Sequence, residues 1–159
     1  MSDINNVHDK FFKKTFEDPN NAGTFLKFAL PGNLRDAVEL SNIEIDATNY
    51  VSKQFRECFS DIVIKTKMKP QSNEEEGIPV DIYILFEHKY SRDAGIFIQL
   101  LYYMYTMWQK DIDEKKDLRI IIPFVFYHGK EKWNIPRSFA EQFKVSGAVK
   151  DFLLNYRYI

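Results

Sequence analysis

Two stretches decide the fold: Phe59-Ser60-Asp61-Ile62-Val63-Ile64-Lys65-Thr66-Lys67-Met68-Lys69 and Pro79-Val80-Asp81-Ile82-Tyr83-Ile84-Leu85-Phe86-Glu87-His88-Lys89. Both alternate apolar and polar residues with period two. The polar run Gln71-Ser72-Asn73-Glu74-Glu75-Glu76-Gly77 between them reads as a solvated tip, so the pair predicts an antiparallel hairpin. In the register that sets Asp61 opposite Glu87, Ile62 meets Phe86, Ile64 meets Ile84, Thr66 meets Ile82 and Met68 meets Val80. That even-numbered face is nearly all apolar and is expected to be buried. The odd-numbered face then pairs Val63 with Leu85, Lys65 with Tyr83 and Lys67 with Asp81. A slip of one residue would turn the apolar set outward, so the faces are well specified.

Outward from the hairpin, residues 8–17 place Phe11, Phe12 and Phe16 on one side and Lys10, Lys13 and Lys14 on the other, predicting an amphipathic helix stopped near Pro19. A second helix is predicted over residues 22–30, ending at Pro31-Gly32. Ile43 and Ile45 flanking Glu44 suggest a strand within residues 38–45. Residues 94–112 carry Phe97, Leu100, Leu101, Met104, Trp108 and Ile112 at helical spacing. Ile98, Tyr102 and Tyr105 lie outside that stripe, so the helix is apolar nearly all round and suits either a central position or a subunit interface. Residues 118–126 form a short β-branched run expected as a buried strand, and residues 140–159 are expected to be helical. The order predicts an α/β domain (αβββαβ) with a mixed sheet covered by helices on both faces.

At 159 residues with 45 % apolar composition, the chain suits one domain with a sizeable core, rich in its fourteen Phe and nine Tyr. A lone cysteine, Cys58, excludes an internal disulfide and is most simply a small apolar residue. The first residues lack the layout of a signal peptide and no apolar run could span a bilayer, so a cytoplasmic protein is expected. A net charge of −1 means that any nucleic-acid surface must be local.

The chemistry lies at one end of the hairpin. Two carboxylates on adjacent strands repel, so Asp61 and Glu87 invite a cation. Lys89, two residues beyond Glu87, has the same parity. Two carboxylates and a lysine suit a Mg²⁺ site for phosphodiester hydrolysis, because Mg²⁺ prefers a few carboxylates, waters and phosphate oxygens to an all-protein cage. The ordinary alternative is a pair of solvated strand-end carboxylates with Lys89 as a salt-bridge partner. Lys65, Lys67 and Lys69, with Lys130, offer a basic rim for DNA, although charged strand edges also guard against aggregation.

Asp61 followed by Glu87-His88-Lys89 resembles the signature of PD-(D/E)xK nucleases. The blocks His8-Asp9-Lys10-Phe11-Phe12-Lys13, Phe59-Ser60-Asp61, Leu85-Phe86-Glu87-His88-Lys89 and Pro123-Phe124-Val125-Phe126-Tyr127-His128-Gly129, followed by Trp133, resemble the recombination-promoting nuclease family, also described as transposases. That resemblance implies a metal-dependent DNA endonuclease domain over residues 1–159, followed in longer members by a C-terminal region. It implies Asp61 and Glu87 as metal ligands and the His88 carbonyl as a third. Many members carry Gln where this chain has Lys89. His8 and Asp9 would support the site, and Gln99 with Tyr103 resembles a Gln-x-x-x-Tyr element that orients it in some relatives. Packing explains Gln99 and Tyr103 equally well, and an ordinary helix start explains His8 and Asp9. His128 reads as a turn residue beneath Trp133. The expected function is a DNA endonuclease of low sequence specificity using Mg²⁺, with Mn²⁺ or Ca²⁺ as alternatives, and with a homodimer expected through helix 94–112 or the C-terminal tail. Two other functions compete: an inactive nuclease fold that binds DNA or protein, and a transposase. Intact Asp61, Glu87 and Lys89 disfavour the first, and the lack of a third acid disfavours the second.

Overall fold

The computed structural model describes residues 11–46, 60–70, 77–87, 95–127, 132–145 and 147–159, with backbone only for Ser60, Asp61, Tyr83 and Leu85 to Glu87. Residues 11–16 are helical (α1). Then follow α2 (Pro19–Ala29), α3 (Gly32–Ala37), β1 (Glu44–Asp46), β2 (Ser60–Lys67), β3 (Pro79–Glu87), α4 (Ile96–Asp113) and β4 (Ile120–Tyr127). Two 3-10 turns, Phe139–Gln142 and Gly147–Phe152, complete the chain. The four strands lie in chain order, with β1–β2 and β2–β3 antiparallel and β3–β4 parallel. The fold is therefore a mixed sheet with helical layers, as expected.

The hairpin keeps the predicted faces but not the predicted register. Asp61 stands opposite Leu85, Ile62 opposite Ile84, Ile64 opposite Ile82, Thr66 opposite Val80 and Lys65 opposite Asp81. The shift is two residues, which leaves every side chain on its own face. Gly77 sits at the closing turn, where a Cβ would lie 1.9 Å from the Met68 carbonyl oxygen. Only glycine allows the turn to close there, and the Met68 N–H donates to Ile78 O at 2.7 Å beside it.

Both faces of the sheet are covered. Ile62, Ile64, Val80, Ile82, Ile84 and Phe124 pack with Phe16, Ala22, Leu26 and Leu30 from the N-terminal helices. Aromatic contacts dominate this layer: Phe25 lies 4.9 Å from Phe16 and 5.6 Å from Phe124, with edge-to-face geometry in both cases. On the odd-numbered face Val63 joins Ile96, Phe97, Leu100, Tyr103 and Met107 of α4, together with Tyr158. The even-numbered face is thus not the only buried one.

Three local expectations need correction. The first helix ends at Phe16, short of Pro19 as expected, but the second begins before residue 22: Pro19 starts α2 at the first helical position, while Asp18 caps it by accepting from the Asn20 N–H at 2.9 Å. The tail is not a continuous helix. Ser138 pairs with Arg157, the Val125 N–H donates to Ile159 O at 2.8 Å and the Ile159 N–H donates to Pro123 O at 3.1 Å, so the chain's last residue lies along β4. Within residues 38–45 the strand itself is only Glu44–Asp46, with Val38 forming an isolated bridge to Met68.

Candidate functional site

Asp61 is the second residue of β2 and Glu87 the last of β3. Because Asp61 pairs with Leu85, Glu87 is its diagonal neighbour, two residues further along β3 and of the same parity. Diagonal positions on one face are about 7–8 Å apart, wider than a directly opposed pair, so mutual repulsion is milder than the opposed register implies. Two carboxylates have the hard-oxygen chemistry that Mg²⁺ requires. Among the described residues no three His, Cys, Asp or Glu side chains gather into a ligand cluster. His8, Asp9, Cys58, His88, Lys89, His128 and Lys130 lie outside the described residues.

The parallel pairing brings Tyr127, the last residue of β4, beside Glu87. Tyr127 and Trp133 pack in a tilted pair with ring centroids 4.8 Å apart, so Trp133 lies on the strand end. Trp133 in turn donates its indole N–H to the Tyr158 hydroxyl at 3.2 Å, and Tyr158 donates to Pro136 O at 2.9 Å. Tyr156 donates to the Phe97 carbonyl in the first turn of α4. Burial pushes the hydroxyls of Tyr156 and Tyr158 above the ordinary tyrosine range. Burial thus favours the neutral, donating form of both, and their rings build an aromatic wall with Phe97 and Trp133. The sequence reading treated this segment as helix and missed the wall; the repeated Tyr156-Arg157-Tyr158 alternation was the available signal.

Gln99 and Tyr103 both belong to α4, one turn apart, on its sheet-facing side. Tyr103 is fully buried and belongs to the α4 core cluster. The Gln99 side-chain Nε2 is buried with no hydrogen-bond partner among the described residues. An unsatisfied buried amide costs about 1–3 kcal/mol, which packing alone does not repay. Tyr103 likewise buries a polar group, its hydroxyl, so burial does not set the two residues apart.

The lysine stripe is partly committed. Lys65 Nζ lies 3.2 Å from Asp46 Oδ2, and Lys69 donates to the Asp36 carbonyl at 2.9 Å. Lys67 is exposed. At the opposite end of the sheet lies a charge cluster that sequence reading missed. Arg119 Nε donates to both Asp111 oxygens at 2.8 and 3.0 Å, Nη2 also donates to Asp111, and Nη1 donates to Asp81 Oδ2 at 2.9 Å. Asp81 and Asp111 are both buried. Hydrogen bonds from Arg119 hold the Asp111 carboxyl below its ordinary value, whereas desolvation outweighs Arg119 at Asp81 and raises it. Asp111 also accepts from the Arg119 backbone N–H at 3.2 Å, whereas at Asp81 desolvation is the largest influence, hence the opposite directions.

Residues 6–159 match the family model described as "Putative transposase, YhgA-like". The chain belongs to that family. Its YhgA-like relatives include the recombination-promoting nuclease RpnD of Escherichia coli O157:H7, 30 % identical over 77 % of this chain and 45 % of RpnD. RpnA of Escherichia coli K12 is 29 % identical over 78 % of this chain and 40 % of its own length. A YhgA-like relative from the same strain, named the inactive recombination-promoting nuclease-like protein RpnE, is 27 % identical over 81 % of this chain and 41 % of RpnE. The chain thus spans less than half the length of these curated relatives. No solved structure matches it. Among the described residues no helix is long and apolar enough to cross a membrane.

Proposed function

We propose that this chain is a divalent-metal-dependent DNA endonuclease domain of the PD-(D/E)xK type, cytoplasmic and of low sequence specificity, acting in DNA recombination. The observation that carries the reading is the placement of Asp61 and Glu87 on one side of adjacent strands, at the sheet end walled by Tyr127 and Trp133. The names of the relatives, recombination-promoting nucleases, support the same class.

Asp61 and Glu87 would hold the cation, with the His88 carbonyl as a further oxygen donor. When bound, Mg²⁺ supplies an acidified water and neutralises charge on phosphate oxygens. Lys89 would place its ammonium against the phosphate oxygens on which charge builds. Gln99, whose buried Nε2 has no hydrogen-bond partner among the described residues, would donate toward the same site. Lys67 remains exposed to meet a DNA backbone, and Lys65 and Lys69 would do so only by giving up their present partners.

Plasmid nicking with Mg²⁺, Mn²⁺ or Ca²⁺, with and without EDTA, tests the reading. Metal-dependent conversion of supercoiled to open-circular DNA supports it, and no cleavage with any of the three metals overturns it. The second reading, a non-catalytic member of the family, is favoured by the relative named inactive; DNA binding without cleavage would select it.

Within the nuclease reading, Lys89→Gln is expected to retain more activity than Lys89→Ala. Glutamine keeps a hydrogen-bond donor for water or phosphate but no charge, so the loss should be on the order of tenfold, against about 100-fold or more for alanine. Equal activities of the two variants in single-turnover cleavage would remove this role for Lys89.

A further inference from the structure

β4 ends in Tyr127, and the parallel pairing sets Tyr127 directly beside Glu87. Paired positions on neighbouring strands belong to the same face of a sheet, and the strands lie about 4.8 Å apart. Positions 61, 87 and 127 therefore follow one another across β2, β3 and β4 at one end of the sheet, on the face that carries α4. Tyr127 is half-buried, and its ring packs in a tilted pair with Trp133. The two rings bring two polar atoms to the strand end. The Trp133 indole N–H is taken up by the Tyr158 hydroxyl. The Tyr127 hydroxyl has no hydrogen-bond partner among the described residues.

We propose that Tyr127 is a substrate-binding residue of the candidate site, its hydroxyl donating to a non-bridging oxygen of a DNA phosphodiester beside the carboxylates. A phenol suits that place. It is neutral, so it adds no further charge next to Asp61 and Glu87, and a phosphate oxygen is a stronger acceptor than a neutral one. Tyrosine hydroxyls are among the side chains that fix a DNA backbone without reading its sequence, as the low specificity proposed above requires. Packing against Trp133 restricts the ring, so little side-chain freedom is lost when DNA binds. The inference rests on DNA as the partner in the proposed function, but not on cleavage.

Fluorescence anisotropy with a labelled duplex, in EDTA to prevent cutting, reads the affinity. Tyr127→Phe keeps the ring against Trp133 and removes only the hydroxyl, so affinity should fall on the order of tenfold at an unchanged melting temperature. Tyr105→Phe, which removes a hydroxyl exposed on α4, should bind as wild type. Duplexes with a single phosphate replaced by a methylphosphonate, moved along the strand, locate the contact. At one position the replacement should weaken wild type more than Tyr127→Phe, because the variant has already lost that bond. Wild-type affinity in Tyr127→Phe overturns the proposal. So does additivity of the two changes at every position, whatever the melting temperature, and so does a wild-type chain that binds no duplex. A wild type that binds but never cuts, with the non-additive position present, removes the nuclease reading and supports this role for Tyr127.

Discussion

Asp61→Ala and Glu87→Ala are each expected to lower Mg²⁺-dependent plasmid cleavage by about 1,000-fold or more, while circular dichroism and melting remain those of the native chain. Either substitution takes away half of the carboxylate pair and with it the tight hold on a cation. The fold should tolerate both changes, because each position stands at a strand end, outside the clusters formed by Ile62, Ile64, Val80, Ile82 and Ile84 on one face and Val63 with α4 on the other. With the carboxylates diagonal and not opposed, the relief of repulsion without metal is small, so stability without metal should change by less than about 0.5 kcal/mol. Calorimetric titration with Mg²⁺ supplies the companion readout: wild type binds and the variants do not. Wild-type cleavage by either variant would place the chemistry elsewhere.

The second large effect is expected on stability. Arg119→Met should destabilise the fold by about 3–5 kcal/mol at neutral pH, because it removes the guanidinium from two buried carboxylates and leaves Asp111 the backbone N–H of residue 119 and the charge of Lys116. The sign of its pH dependence follows. Without the guanidinium, burial is the main influence left at Asp81 and raises its carboxyl further above the unfolded value. A raised carboxyl pKa means that folding gains stability as pH falls through it, so the deficit of the variant should shrink between pH 7 and about pH 4. In wild type Arg119 holds Asp111 below its ordinary value, so its contribution is complete above that value and is lost as pH falls through the lowered one. Urea melts of the two proteins across this range decide the matter; a deficit that grows on acidification would show that the cluster is not what stabilises this end of the sheet.

The faces of the hairpin were legible because alternation ties each residue to a side. The register was not, because a period-two pattern is blind to a shift of two. Lys67 opposite Asp81 and Lys65 opposite Asp81 are equally good charge pairs on paper. The choice is made by the approach of Gly77 to the Met68 carbonyl and by Arg119, which lies far along the chain. The carboxylates of the candidate site survived this error, since the shift keeps them on one side. The Asp18-Pro19 pair was legible as the end of the first helix but not as the cap and first helical position of the next, which it also supplies. The tail was misread for a different reason: its conformation is dictated by distant partners, Tyr156 on Phe97 and Ile159 on β4, which local periodicity does not encode. Asp111 and Arg119 stand eight residues apart on either side of the α4–β4 connection, and nothing local marks them as a buried pair.

The strand order also implies a sequence of events during folding. β2 and β3 are consecutive and antiparallel, so Asp61 and Glu87 are brought together by a local closure, whereas β4 reaches β3 only after all of α4 has been laid down. Until then one edge of β3, with Val80, Ile82 and Ile84 along it, presents unpaired backbone groups to any other nascent chain. The vulnerable species is therefore a half-built sheet with its carboxylates placed and its aromatic wall absent. Refolding yield should fall steeply as protein concentration rises, and Pro79→Lys, a charge at the exposed start of that strand, should recover part of it. A yield independent of concentration would mean that β4 docks before neighbouring chains can find the edge.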